Sequence, residues 1–519
     1  MARTNPRKAA PPPPQPHSFL DALRYFLTPA LWKQVTAALR PYQGYSWKAH
    51  PLVLVLLVMT WTTGDSTAER FETARAFYVA AFHKRRQPGK SLEGLAKTLR
   101  RIPLRALRPL AAALRRRIRQ VLGDDRLTVH GFIPFGGDGS RVACPRSREL
   151  QERLPTGSTK DGPPQAWVTA LVHLGTGVPW AWWLGRGNAN ERTHLRHLLK
   201  TLPAKALVVA DAGFGGFLML RALSKANLSF LIRLKANAPL YVTDKNAWPK
   251  GGEGVVQYWT QEAQKQGLPP IAVRVICLRG KRKKGKAGKI WLMTNVLDEA
   301  RLPRSVASLF YRWRWRNEGF FRAYKRTLAK VKLSGRTVRM VHRELELSLV
   351  AVQLLLAQGA VAQASPGQPL PPSPEVVSAA PPQAGSAGSS ASGTAPHLQR
   401  PGELLAGAPE PASSASAPQR RRQTAVPETD EGLPSVRLIV REIRREVDRV
   451  IAERLGPRQK RSYWERLQAA RWPRRKRRSN QVRQEWPTRK AHKPPRRPTF
   501  RRMGSDLKEL MDKTLAENQ

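Results

Sequence analysis

The chain has 519 residues, of which 91 are Lys or Arg and 37 are Asp or Glu, so its formal net charge is +54. This length allows two or three domains with a sizeable core, and the charge predicts binding to polyanions without indicating any particular chemistry. The two cysteines, Cys144 and Cys277, are too few for a zinc quartet or for the disulfide framework of a secreted protein. We therefore expect a reducing, intracellular compartment.

Residues 18–125 show helical periodicity throughout, after a Pro- and Lys/Arg-bearing arm (1–17) that we expect to be disordered. The apolar run 51–61 is too short to span a bilayer, which takes about 20 residues, so it predicts a buried core helix. The first residues contain no apolar stretch of the signal-peptide type, and we expect a cytoplasmic protein that is not associated with a membrane. Arginines late in this segment favour an all-α DNA-binding bundle, although an arginine-rich solvated surface is the alternative.

From residue 126 to 361 the pattern is that of a mixed α/β domain. The elements run three strands, helix, strand, helix, strand. Asp138 lies in the first strand, in GGDGS, and Asp211 lies at the tip of the fourth, in VVADAGFGG. Small neighbours at both places allow the backbone to approach a metal ion or a phosphate closely.

Residues 237–302 interrupt this order with a β-rich insertion that contains a very basic turn at 279–289. After residue 361 the composition changes to Pro, Ala, Ser and Gly, which predicts a disordered linker over 362–432. The segment 433–519 is interpreted as a basic tail with one amphipathic helix (433–455). Residues 457–502 are predicted to be a disordered or barely structured DNA-binding polycation, with solubilising charge as the alternative.

The segment from Tyr311 to Lys325 has an unusual helical face. At about 100° per residue, the side chains of Tyr311, Arg314, Glu318 and Lys325 fall within an arc of about 60°. An aromatic stripe beside them can pack on a core. One helix therefore aligns a carboxylate with a Tyr, an Arg and a Lys, although a solvated Glu–Arg pair on an amphipathic helix is the simpler interpretation.

The spacing Y-x-x-R-x-x-x-E-x-x-x-x-x-x-K resembles the Y-R-E-K signature of DDE transposases of the insertion-sequence-four type, and all four positions match. That family also has D-G-S/T and D-x-G-F motifs at the places of Asp138 and Asp211. The resemblance covers about residues 127–361 and implies a ribonuclease-H-like catalytic core. It implies that Asp138, Asp211 and Glu318 are the catalytic carboxylates.

Three converging carboxylates suit two Mg²⁺ or Mn²⁺ ions about 4 Å apart, which can clamp the attacking and leaving oxygens of a phosphoryl transfer. The resemblance implies that Tyr311, Arg314 and Lys325 bind phosphates of the transposon end. It also implies that a tryptophan of the insertion can stack on a flipped base. The sequence does not choose among Trp248, Trp259 and Trp291, and Trp291 also reads as a core residue.

These observations predict a DNA transposase that cleaves transposon ends and transfers the strands. Its expected partners are terminal inverted repeats, target DNA and a second copy of the chain. There is no GxxxxGK[ST] motif and so no sign of a nucleotide cofactor. The alternatives are a catalytically inactive relative acting as a repressor, a general basic nucleic-acid-binding protein, and a nuclease without strand transfer. A metal set made of Glu191, His194 and His197 is less favoured than a solvated helix start.

Overall fold

The computed structural model describes residues 18–155, 162–243, 253–280, 288–330, 333–363, 433–452, 467–468 and 498–518. Several predictions concern residues outside these ranges: the N-terminal arm, most of the linker, most of the basic tail, most of the basic turn of the insertion, and Trp248.

The helical prediction for the N-terminal segment is confirmed. Helices begin after Ser18, Thr28, Ser66 and Ser91, and each hydroxyl accepts a backbone N–H of the first turn. Hydroxyl side chains are preferred there because they satisfy amide groups that have no partner within the helix. The helices of this segment are α1 Phe19–Phe26, α2 Pro29–Leu39, α3 Ala49–Trp61, α4 Thr67–Ala81, α5 Leu92–Arg101 and α6 Leu104–Leu127.

The later helices alternate with strands, as expected for a mixed α/β chain. They are α7 Arg148–Arg153, α8 Glu191–Leu199, α9 Phe217–Lys225, α10 Gln261–Lys265, α11 Arg304–Trp313, α12 Trp315–Arg326, α13 Val338–Gln363, α14 Val436–Ala452 and α15 Ser505–Ala516. The strands are β1 Ile133–Ala143, β2 Gln165–His173, β3 Pro179–Arg186, β4 Ala206–Ala210, β5 Ser229–Arg233, β6 Leu240–Val242, β7 Gly254–Tyr258, β8 Ile271–Gly280, β9 Gly288–Thr294 and β10 Phe500–Arg502.

All of these strands belong to one sheet, in the order β10-β6-β7-β8-β9-β5-β4-β1-β2-β3. The strand pairs β1–β4, β4–β5 and β6–β10 are parallel, and the other neighbours are antiparallel. The predicted order of three strands, helix, strand, helix, strand is present as β1 to β5, with the short α7 as an addition between β1 and β2.

The insertion does not form a separate layer. Its four strands are β6 to β9, and β9 pairs with β5 through Leu231–Thr294 to Arg233–Leu292. The sheet that carries Asp138 and Asp211 therefore continues directly into the insertion. The sequence predicts that the insertion is rich in strands, but it does not indicate that one of them pairs with β5.

The prediction of a disordered polycation over residues 457–502 is wrong at its C-terminal end. Phe500–Arg502 form β10, which pairs in parallel with β6, and α15 follows. Phe500, Met503 and Met511 are buried, and Leu467 is fully buried in the main core. Apolar residues spaced along a basic segment anchor it, because burying each large apolar side chain stabilises the folded state by about 1.5–3 kcal/mol.

Helix α13 links the N-terminal helices to the sheet. It is long and apolar enough to be a candidate membrane span, and that apolar stretch is wholly buried inside the protein. The Trp61 indole N–H of α3 donates to the carbonyl of Ala351, at 3.1 Å. One hydrophobic cluster includes residues of the helical segment, the sheet, α13 and α14, so the predicted helical and catalytic domains share a core.

Glu346 of α13 is 3 % exposed, and its Oε2 accepts the indole N–H of Trp182 at 3.0 Å. Burial raises the pKa of this carboxyl to about 7. The pKa of Glu346 is higher in the folded protein than in the unfolded chain. Its contribution to the free energy of unfolding is therefore fully present below about pH 4.5 and is lost as the pH rises through about 7.

We therefore expect Glu346→Gln to stabilise the protein relative to wild type at pH 8, by about 1–3 kcal/mol, and to have little effect at pH 4.5. Thermal unfolding at the two pH values measures this. Glu72→Gln, on an exposed site of α4, is the control. An equal difference between variant and wild type at both pH values would contradict the assignment.

Candidate active site

Asp138 lies in the middle of β1, at a point where one neighbouring strand has ended. It pairs with Ala170 of β2, whereas pairing with β4 stops one residue earlier, at Gly137–Ala210. Its Oδ1 accepts the backbone N–H of Gly139 at 2.8 Å. The strand edge beside Asp138 is therefore open towards the residues that follow β4.

Asp211 is the first of those residues. It follows β4 directly and caps a single 3₁₀ turn over Ala212–Phe214, and its Oδ1 accepts the N–H of Ala212. The prediction that this residue lies at a strand tip is confirmed. Because β1 and β4 are parallel neighbours, Asp138 and Asp211 lie close together at the same edge.

Glu318 comes from the helical segment, which is not the uninterrupted helix that the sequence predicts. The segment divides at Arg314, where α11 ends and α12 begins, although the Arg314 backbone keeps helical angles (φ −50°, ψ −33°). Glu318 is in the first turn of α12. Around Arg314, N–H groups bond to carbonyls three residues back, such as Asn317 to Arg314 at 3.1 Å, which tightens the junction.

Two contacts hold α12 on one face of β1. An added Cβ on Gly136 would lie 2.5 Å from Asn317 Nδ2, so the helix approaches the strand as closely as a glycine allows. The second contact lies four residues further along β1, where Lys325 Nζ donates to Ser140 Oγ at 2.8 Å. Gly136, Asp138 and Ser140 alternate onto the same face of β1, so Glu318 is carried to the face of Asp138.

The three acids influence one another electrostatically. Burial raises the pKa of Asp138, the charge of Asp211 raises it further, and the Arg314 guanidinium opposes the change. Burial likewise raises the pKa of Glu318, with repulsion from Asp138 and Asp211 and opposition from Arg314. Glu318 Oε1 is 4.0 Å from Arg314 Nη1, and the side chain of Glu318 is 39 % exposed.

Residues 138–354 match the protein family described as the transposase DDE domain. This part of the chain resembles a transposase DDE domain. The match begins at Asp138 and includes Asp211 and Glu318, and it supports a DDE transposase. No protein of curated function matches the sequence. Among solved structures, a cryo-EM structure of a piggyBac transposase synaptic complex with hairpin DNA has 13 % identity and a TM-score of 0.37, covering 69 % of this chain and 77 % of the other.

The basic and phenolic residues of the DDE-like region lie beside the acids. Arg314 is 8 % exposed, and its guanidinium lies 5.6 Å from the centre of the Tyr311 ring. Arg314 Nε has no hydrogen-bond partner among the described residues. Burial raises the pKa of Tyr311 and lowers that of Lys325. The structure thus brings Tyr311, Arg314 and Lys325 onto the side of β1 that carries Asp138.

Arg316 lies in the same arginine-rich stretch but is a buried residue. It is 7 % exposed, donates to the carbonyl of Leu174, and lies 4.1 Å from the centre of the Trp313 ring. Arg312 and Arg322 are exposed. Two arginines of this stretch therefore face outward, and Arg316 turns inward to the carbonyl of Leu174.

The candidate stacking tryptophans in the described region are core residues in this structure. Trp259 is fully buried and its indole N–H donates to the carbonyl of Leu268 at 2.7 Å. Trp291 is 3 % exposed. Neither presents a free ring face, and Trp248 lies outside the described residues. Base stacking by a tryptophan of the insertion stays a prediction. Neither of the two candidates within the described residues is exposed.

Glu191 is the acid that sequence reasoning undervalued. It was interpreted as a solvated helix start, yet it is half buried, and both Asp138 and Asp211 repel its carboxylate. The histidines that could have joined it in a metal set are engaged elsewhere: His194 Nδ1 is 3.0 Å from Thr169 Oγ1, and His197 stacks on Trp183. The available signal was its position directly after a capping Asn190, at the start of a helix that follows the third strand.

The donor set of this site suits a hard divalent cation, because carboxylate oxygens are the ligands that Mg²⁺ and Mn²⁺ prefer. In the present side-chain positions, no three Asp, Glu, His or Cys residues of the described ranges are close enough to hold one ion. Asp138 and Asp211 are fixed by backbone hydrogen bonds, whereas Glu318 is partly exposed on a longer side chain. The chemical type of these ligands therefore suits a divalent metal ion. Of the three acids, only Glu318 has a side chain that is not held by a backbone hydrogen bond in the described structure.

Adjacent glycines of β1 give a matched test of how α12 is held. We expect Gly136→Ala to destabilise the protein by about 1–3 kcal/mol, because the new methyl would lie 2.5 Å from Asn317 Nδ2 and 2.8 Å from Leu174 Cδ2. Gly137→Ala meets Leu195 at 3.5 Å, an ordinary contact, and should leave stability unchanged or slightly raised. Urea unfolding of both variants measures the difference, and equal stabilities would show that α12 does not seat tightly on β1.

Proposed function

We propose that the protein is a DNA transposase that cleaves transposon ends in a metal-dependent reaction and transfers the strands to target DNA. Cut-and-paste transposition of an insertion sequence by a ribonuclease-H-like core is the finer form of the proposal. The match of residues 138–354 to the transposase DDE domain supports it. The observation that carries it is the convergence of Asp138, Asp211 and Glu318 from two parallel strands and a helix.

In this proposal the three carboxylates hold Mg²⁺ or Mn²⁺, with two ions per site. When bound, such ions supply Lewis-acid activation of phosphoryl transfer. The chain's own contribution is to hold the acids close together before a cation arrives. Backbone N–H groups fix Asp138 and Asp211, and the packing of α12 on Gly136 brings Glu318 to them.

Arg314, Tyr311 and Lys325 bind phosphates of the DNA end in the same proposal. Arg314 Nε has no partner within the described ranges, so it leaves a donor for a phosphate oxygen. Because burial raises the pKa of Tyr311, its hydroxyl keeps its proton at neutral pH and can donate a hydrogen bond. Lys325 is held over β1 by Ser140, which positions its charge on the face of Asp138.

The charge of +54 supports DNA as the partner. Lysines and arginines that neutralise phosphates release counterions, so the affinity of such a protein falls steeply with salt. Joining two transposon ends requires two catalytic sites, and we propose a homodimer on DNA.

The test is Mn²⁺-dependent cleavage of a plasmid that carries the native flanking ends. We expect Glu318→Gln to reduce cleavage by at least about 100-fold while DNA binding is retained, because it removes a charge of the site without changing side-chain size. Glu152→Gln is the control, since Glu152 is exposed on α7 and pairs only with Arg148 in the described structure.

A wild-type protein that binds the ends tightly and never cuts with either metal would overturn the catalytic proposal. A catalytically inactive DNA-binding protein would then be the better description. Cutting at the element boundary without joining to a target would instead indicate a nuclease.

A further inference from the structure

Glu191 reaches the acidic site from the face of β1 opposite to that of α12. It is the first residue of α8. Gly137 of β1 faces Leu195 of the same helix, and Gly139 faces Glu191 itself. Residues 137 and 139 alternate with Asp138 along the strand, so α8 and α12 cover the two faces of β1 next to the same aspartate.

Gly139 provides the space into which the Glu191 carboxylate fits. A Cβ added to Gly139 would lie under 3.0 Å from Glu191 Oε1 and from Trp167 Nε1, closer than real Cβ contacts. Glycine therefore leaves a cradle directly beside Asp138, and a carboxylate oxygen fills it. Trp167 is held against this position, with the Arg141 guanidinium 4.5 Å from the centre of its ring.

The carboxylate in this cradle forms no hydrogen bond or ion pair within the described structure. The indole N–H of Trp167 beside it is also without an acceptor there. Burial raises the pKa of Glu191 to about 7, and repulsion from Asp138 adds to this, partly offset by Arg141, with a smaller contribution from Asp211. A half-buried acid facing two others is unfavourable unless a cation neutralises the group.

We propose that Glu191 is a fourth carboxylate of the divalent-cation site, completing it from the α8 face while Glu318 closes it from the α12 face. This inference rests on the proposed function, because it concerns the same metal site. It predicts that Glu191 reaches the site from the α8 face of β1, that Asp138 and Glu318 lie on the α12 face, and that Asp211 lies at the open edge of the strand.

The competing explanation is structural. An acid in the first turn of a helix interacts favourably with the helix dipole, and Glu191 directly follows the capping residue Asn190. Such a role stabilises the metal-free protein and has no effect on cation affinity. A cation ligand behaves in the opposite way, since its removal relieves repulsion in the metal-free protein and weakens cation binding.

The experiment is Mn²⁺ binding to the full chain, followed by electron paramagnetic resonance of free Mn²⁺ and paired with thermal unfolding in EDTA. We expect Glu191→Gln to weaken Mn²⁺ binding by about tenfold or more, with an unchanged or raised melting temperature in EDTA. Glu191→Asp keeps the charge at the helix start but shortens the side chain by one methylene. It should therefore also weaken Mn²⁺ binding while preserving any dipole effect.

Asp211→Asn and Glu72→Gln are the matched references, one within the proposed site and one on the exposed surface of α4. Wild-type affinity in both Glu191 variants, together with a lower melting temperature of Glu191→Gln in EDTA, would overturn the inference and favour the dipole role. If Asp211→Asn weakens binding and Glu191→Gln does not, the proposed function stands and only the fourth ligand is lost. Identical Mn²⁺ binding by wild type and Asp211→Asn would overturn the cation site as a whole.

Discussion

Repulsion among carboxylates at the open edge of β1 is the constraint on which the site depends. Asp138, Glu191, Asp211 and Glu318 approach from a strand, two helices and a loop, and for three of them burial makes ionisation harder. Within the described residues, the positive charge at the centre of this group is mainly the buried Arg314 guanidinium. The fold holds these acids near one another against their mutual repulsion, which is possible because they stand on packed elements whose cores are apolar.

The glycines of β1 make this arrangement possible. Gly136 allows Asn317 of α12 to lie against the strand, and Gly139 admits the Glu191 carboxylate from the other face. A side chain at either position would push a helix away from the aspartate between them. The motif GGDGS is thus a packing requirement on both faces of one strand as well as a place for an acid.

Much of this could be predicted from the sequence. The order of elements β1 to β5 followed from periodicity, and Asp211 at a strand tip followed from the change from VVA to DAGFGG. Other features depend on tertiary contacts that periodicity does not record. Arg316 turns inward onto the carbonyl of Leu174. Glu191 lies beside Asp138 and Gly139, which are 53 (191 − 138) and 52 (191 − 139) positions earlier in the sequence. The strand β10 was missed because three residues in a strongly basic segment carry almost no pattern of their own.

The pairing of β10 with β6 gives the C-terminal part of the chain more than one attachment to the protein. Helix α14 packs on α4 and α13, Leu467 is buried in the main core, and β10 pairs with the edge strand β6. The chain is therefore held at three separate points after residue 433. The entropy cost of closing a chain between two fixed points grows only with the logarithm of its length. Insertions or deletions between these attachment points would consequently change the stability of the fold very little.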